Sequence, residues 1–99
     1  MRESVVQSKC IQILKAQDWY VNKIVSCSIN GWPDLEAIKD GQTLYIEFKA
    51  PGKAETVLQA YIHSRIRAAG GYCVVIDNPD NLVKLLVEKP WNKIHSSLK

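Results

Sequence analysis

The chain lacks most of what a secreted or membrane-bound protein uses. It has three cysteines, Cys10, Cys27 and Cys73, odd in number, far apart and outside any C-x-x-C pair. That spacing argues against a disulfide framework and against a thiolate zinc site. Apolar residues flank each thiol, so all three are expected to be free and buried. No apolar run approaches the ~18 residues of a membrane span, so no membrane partner is expected. Met1-Arg2-Glu3-Ser4 leads into an amphipathic stretch with no signal-peptide core, which points to the cytoplasm. Repeats, linkers and low-complexity tracts are absent. The two histidines, His63 and His95, lack metal-ligand spacing. His63 is expected on a helix surface and His95 in a terminal tail.

What remains is one small domain. At 99 residues there is room for one core, a sheet covered by two or three helices. The expected domain is 1–99, with residues 92–99 as a flexible tail. The net charge is only +3, but it is unevenly spread. Residues 1–30 hold four Lys/Arg and two acids, residues 31–60 three Lys and five acids, and residues 61–99 six Lys/Arg and three acids. An acidic middle between basic ends suits a nucleic-acid enzyme, with cations for phosphates and carboxylates for metal. A mixed solvated surface gives the same tally.

Periodicity gives the elements. Residues 3–17 read as a helix with Val6, Cys10, Ile13 and Leu14 on one face. Glu3 shares that face. It either favours the helix N-terminus or points at a polar site beside the core. Residues 19–25, 33–39 and 42–50 read as strands, and Asp40-Gly41 is a strong hairpin signal between the last two. Residues 54–69 form a second helix with Leu58, Ile62 and Ile66 inward, ended by Gly70-Gly71. Residues 72–77 are a buried strand. Asn78-Pro79-Asp80 opens a third helix carrying Leu82, Val83, Leu85 and Leu86, broken by Pro90. The fold class is α/β: helix, three-strand meander, helix, strand, helix, around a mixed sheet.

The hairpin brings acids together. With a two-residue turn, Lys39 pairs with Gln42, and the same register sets Asp34 opposite Glu47 and Trp32 near Lys49. Thr43, Tyr45, Glu47 and Lys49 share one face, while Leu44, Ile46 and Phe48 face the core. Two adjacent carboxylates repel. Lys49 alone could offset this in a structural ion cluster, or a divalent cation could. Mg²⁺ takes one or two carboxylates, keeps several waters and adds phosphate oxygens. Such a metal polarises a phosphate and activates water. A neighbouring lysine orients or deprotonates that water, or stabilises the developing charge.

Gly31-Trp32-Pro33-Asp34-Leu35, followed by Glu47-Phe48-Lys49, resembles the PD-(D/E)xK nuclease signature. With Ala50-Pro51-Gly52, Gln59, and a helix ending Arg65-Ile66-Arg67-Ala68-Ala69-Gly70-Gly71, the string is similar to the stand-alone VRR-NUC family of phage and bacterial type. The resemblance covers residues 3–77. It implies a restriction-endonuclease-like core and Mg²⁺- or Mn²⁺-dependent cleavage of DNA in a bacterial or phage-infected cell. It implies that Asp34, Glu47 and the Phe48 backbone carbonyl ligate metal, and that Glu3 approaches it directly or through water. Lys49 would act on the attacking water and Gln59 would stand beside the site. Thr56-Val57-Leu58-Gln59 also fits a capping box, and the two roles are compatible. Trp32 stands where a smaller residue is common, to stack on a base or simply to pack. Lys53, Arg65 and Arg67 are candidate phosphate contacts, or solvated charges. The family implies a homodimer acting on branched DNA such as Holliday junctions, which suits a small domain with little surface for reading sequence. The rival readings are a nuclease-fold DNA-binding module without activity, which the intact Asp34, Glu47 and Lys49 oppose, and a restriction-type duplex nuclease, whose recognition loops are not evident.

Overall fold

A computed structural model describes residues 1–88; the expected tail over 92–99, with Pro90 and His95, lies outside them. The elements follow the expected order: α1 (Glu3–Ala16), β1 (Tyr20–Lys23), β2 (Leu35–Lys39), β3 (Gln42–Phe48), α2 (Val57–Ala68), β4 (Tyr72–Ile76) and α3 (Pro79–Glu88). The strands form one sheet in the order β1-β2-β3-β4. The first three are antiparallel, and β4 runs parallel to β3. A parallel pair needs a crossover, and α2 supplies it.

Asp40 (φ 52°) and Gly41 (φ 78°) both take positive φ. That is the requirement of a type I′ turn, whose twist matches the flanking strands. The register follows: Lys39 pairs with Gln42, Ala37 with Leu44 and Leu35 with Ile46. β2 begins at Leu35 and not at residue 33, because Pro33 has no N–H for the ladder.

The core lies between the sheet and the helices α1 and α3. Val6, Cys10 and Leu14 of α1 meet Leu35, Ala37, Leu44, Ile46, Phe48 and Ile76 of the sheet and Leu82 and Leu86 of α3. Burying each large apolar side chain here contributes ~1.5–3 kcal/mol. The opposite face of the sheet is covered by α2, which packs Ile66 and Cys73 out of solvent. Among the described residues, no helix is long and apolar enough to cross a membrane.

Three expectations fail. Cys27 is exposed, on the loop after β1, and its thiol donates to the Ile29 carbonyl at 3.2 Å. Apolar neighbours do not bury a residue on a segment outside the sheet. Cys10 and Cys73 are buried as expected, and burial pushes both thiols up to about 11, away from reactivity. Leu58 is half exposed, and His63, expected on the surface, is fully buried. The cause is shared. α2 turns His63 and Ile66 to the sheet, with Gln59 half-buried one turn before His63.

Candidate active site

Asp34 leads into β2, and its main chain is held by the residue that follows β1: the Ile24 N–H donates to the Asp34 carbonyl at 2.8 Å. The Asp34 side chain faces β3, where its Oδ2 accepts the Phe48 N–H at 2.8 Å. The carboxylate thus continues the hairpin contact beyond the Leu35–Ile46 pair. Gly31 (φ +88°) prepares this approach. A Cβ there would come within 3.1 Å of the Leu58 and Ile62 side chains, so only glycine lets the loop lie so close on α2.

Glu47 is the central residue. It is only 3% exposed, although it stands on the face away from the apolar core. Its Oε2 accepts from Gln59 Nε2 at 3.2 Å and lies 3.6 Å from Lys49 Nζ. Its Oε1 is buried without a hydrogen-bond partner. Burial pushes the Glu47 carboxyl up to about 8, and the charge of Asp34 and a hydrogen bond to it act in the same direction. Lys49 opposes the rise.

Lys49 and Gln59 are fixed by their own elements. The Lys49 N–H donates to the Ile76 carbonyl at 3.0 Å, extending the contact with β4. The turn that follows is pinned, because the Gly52 N–H donates to Asp77 Oδ2 at 3.1 Å. Gln59 holds two roles at once. Its N–H donates to Thr56 Oγ1 at 3.1 Å, and its Oε1 accepts the Thr56 N–H at 2.9 Å, closing a capping box. The same side chain reaches Glu47 through its amide nitrogen. The cap therefore aims the amide at the site.

The fold thus brings together Asp34, Glu47, Lys49 and Gln59. Phe48 gives its N–H to Asp34 and buries its ring in the core. Trp32 is half-buried, with its ring edge-on to Tyr45 at 5.6 Å. Trp32 and Asp34 open onto a cleft of about 320 Å³ beside the loop after β1. Trp32 and Arg65 line a second cleft of about 390 Å³ against α2. Lys53 and Arg65 are exposed, and Arg67 Nε donates to the Cys73 carbonyl at 2.9 Å. Glu3 is exposed on the first turn of α1. Among the described residues, no group of three or more His, Cys, Asp or Glu side chains is placed to hold a metal, so Glu3 does not join Asp34 and Glu47 in one.

Sequence reasoning missed His63 and its partner Glu55. His63 is fully buried, with Nε2 3.7 Å from Glu47 Oε1 and Nδ1 paired with Glu55. The usable signal was spacing. His63 follows Gln59 by one helical turn, so a helix that aims Gln59 at the site aims His63 there too.

A divalent cation fits this donor set. Magnesium needs only one or two carboxylates, completed by waters and phosphate oxygens. The Asp34–Glu47 pair, two carboxylates that repel each other, supplies that.

No family model matches the chain. A curated protein of Acyrthosiphon pisum secondary endosymbiont phage 1, named "Putative nuclease p44", is 31% identical over 81 residues, which span 81% of this chain and 87% of that protein. A solved structure described as a VRR_NUC domain superposes with a TM-score of 0.77 at 24% identity, covering 85% of this chain and 92% of its own.

Proposed function

This chain belongs to the VRR-NUC family of PD-(D/E)xK nucleases, and from that premise we propose that it is a metal-dependent endonuclease that hydrolyses DNA phosphodiester bonds. The observation that carries the reading is Glu47, a buried acid set beside Asp34, which opposes its charge, and Lys49, which favours it. A buried carboxylate that repels its neighbour destabilises a fold unless a cation offsets it.

Asp34 and Glu47 would hold Mg²⁺ or Mn²⁺, with the Phe48 carbonyl as a third donor and Glu3 reaching it only through water. Such an ion, when bound, polarises the phosphate and acidifies water. The chain's own residues do the rest. Lys49 orients or deprotonates the attacking water and stabilises charge on the phosphate. Gln59 holds Glu47 by Oε2. Trp32 and Arg65, which line one cleft, offer a stacking ring and a phosphate contact, with Lys53 and Arg67 as further cations.

The substrate we propose is branched DNA, including four-way junctions, cut by a homodimer in the cytoplasm. A domain this small has little surface with which to read base sequence, and a two-fold dimer presents two sites to two strands. The test is a cleavage assay on linear duplex, flap, fork and four-way junction with Mg²⁺ and with Mn²⁺, alongside the mass of the protein in solution. Preferential cutting of branched substrates by a dimer supports the reading. A monomer that cuts linear and branched DNA equally would overturn the substrate assignment, and absence of cleavage with either metal would overturn the activity.

A further inference from the structure

Two buried polar atoms face each other across the site. Among the described residues, Glu47 Oε1 and His63 Nε2 are the buried side-chain atoms without a hydrogen-bond partner, and they lie 3.7 Å apart. Buried polar groups are nearly always partnered, so a facing pair of orphans calls for an explanation. One hydrogen between them, carried by His63 Nε2 when Glu47 is ionised, satisfies both after an approach of less than an ångström.

The rest of the arrangement fixes which way the ring faces. His63 Nδ1 is paired with Glu55 Oε2. A carboxylate accepts, so Nδ1 carries a hydrogen and the ring is anchored at that end. Glu55 is the outer member, 27% exposed at its side chain, while His63 is fully buried. A chain thus runs inward from Glu55 through His63 to Glu47. On the other side Gln59 Nε2 and Lys49 Nζ approach Oε2. Glu47 is bounded at both oxygens, and α2 supplies His63 and Gln59 from successive turns.

We propose that His63, anchored by Glu55, is a positioning residue that fixes the orientation of the Glu47 carboxylate toward the divalent cation. The proposal rests on the metal-centre reading of Asp34 and Glu47. Outer-shell partners of a ligating carboxylate set its orientation, and losing one typically lowers metal affinity ~10–100-fold. Neutral packing by the imidazole is the competing role. The two separate by shape and by hydrogen bonding. Leucine fills the space without a donor, whereas glutamine keeps a nitrogen donor.

The experiment is Mn²⁺ titration of the full chain without DNA, read by calorimetry and by electron paramagnetic resonance of free Mn²⁺. Circular dichroism and thermal melting establish that each variant is folded. His63→Leu should weaken Mn²⁺ binding ~10–100-fold, with His63→Gln within a few-fold of wild type. Wild-type affinity in folded His63→Leu overturns the proposal, as does equal loss in the two variants. Should His63→Leu fail to fold, Glu55→Ala decides. It removes the anchor from a partly exposed position and should weaken Mn²⁺ binding several-fold; unchanged affinity overturns the proposal. Asp34→Asn separates the two readings. If it loses Mn²⁺ while the His63 and Glu55 variants keep it, this inference fails and the metal centre stands. If wild type takes up no Mn²⁺, both fall.

Discussion

The two faces of the sheet are built on opposite principles. The face under α1 and α3 is sealed by apolar side chains alone: Val6, Cys10, Leu14, Leu44, Ile46 and Phe48 are all essentially unexposed. The face under α2 buries Glu47 and His63 as well as Ile66 and Cys73. Consecutive residues of one strand divide between them, since Ile46 and Phe48 enter the apolar core and Glu47 enters the polar layer. The first face supplies stability that is indifferent to the details of charge. The second holds charges out of water, which is unfavourable for folding but raises their strength in chemistry. Stability and activity should therefore respond to mutation on different faces.

The sharpest contrast pairs Lys49→Ala with Leu14→Ala. Lys49→Ala should lower the cleavage rate by on the order of 10²–10³-fold or more, while DNA binding stays close to wild type and, with divalent cation present, the melting transition shifts little. Leu14→Ala should instead destabilise the fold by ~2–5 kcal/mol, a large share of a small domain's stability. Its folded fraction should cut DNA at the normal rate. Denaturant melts and single-turnover cleavage measure the two effects separately. Loss of activity per folded molecule in Leu14→Ala would break the division between the faces.

The next effect is electrostatic and concerns the metal-free protein. The Glu47 carboxyl titrates near 8 in the fold, against an ordinary value of 4.5. The sign follows from the raised value. The protonated form is favoured by folding, so this contribution is fully present below pH 4.5 and is lost as pH rises toward about 8. Wild type without metal should therefore lose melting temperature relative to Glu47→Gln between pH 5 and pH 8. Divalent cation should restore wild type more at pH 8 than at pH 5, and leave Glu47→Gln unmoved. Parallel melting curves of the two proteins across that range would show that Glu47 is not the buried acid described.

Much of this layout was legible in the residues, and the reasons differ by element. Asp40-Gly41 specifies its turn locally, because both residues must take positive φ, and the turn then sets the register of β2 against β3. Asp34 and Glu47 met as that register requires, although Pro33 replaced a regular ladder end by a carboxylate that accepts the Phe48 N–H. Strand alternation separated Glu47 from Leu44, Ile46 and Phe48. Alternation does not say whether the second face is open or covered. That depends on where α2 docks, which is a tertiary matter, so the burial of Glu47 and of His63 was not legible. The inward stripe assigned to Leu58, Ile62 and Ile66 was the natural one for a helix packing on an apolar surface. A polar layer beneath α2 selected His63 beside Ile66 and left Leu58 half exposed. The exposure of Cys27 has a similar origin, since local apolarity carries no information about a loop's distance from the sheet.

The smallest expected effect tests whether the cap and the site are one device. Thr56→Ala removes the hydroxyl that accepts the Gln59 N–H and should cost ~1 kcal/mol of stability, the usual worth of such a cap. If that were all, cleavage per folded molecule would be unchanged. Gln59, however, closes the box with its Oε1 and reaches Glu47 with its Nε2. Opening one side of the box frees the Gln59 side chain to change rotamer, and the hold on Glu47 Oε2 loosens with it. Thr56→Ser keeps the hydroxyl and should behave as wild type in both respects. Cleavage at saturating metal should fall several-fold in Thr56→Ala and not in Thr56→Ser, with a melting shift of a few degrees. A melting shift without any change in rate would make the cap a helix device alone, and would leave Glu47 held at Oε2 without help from the box.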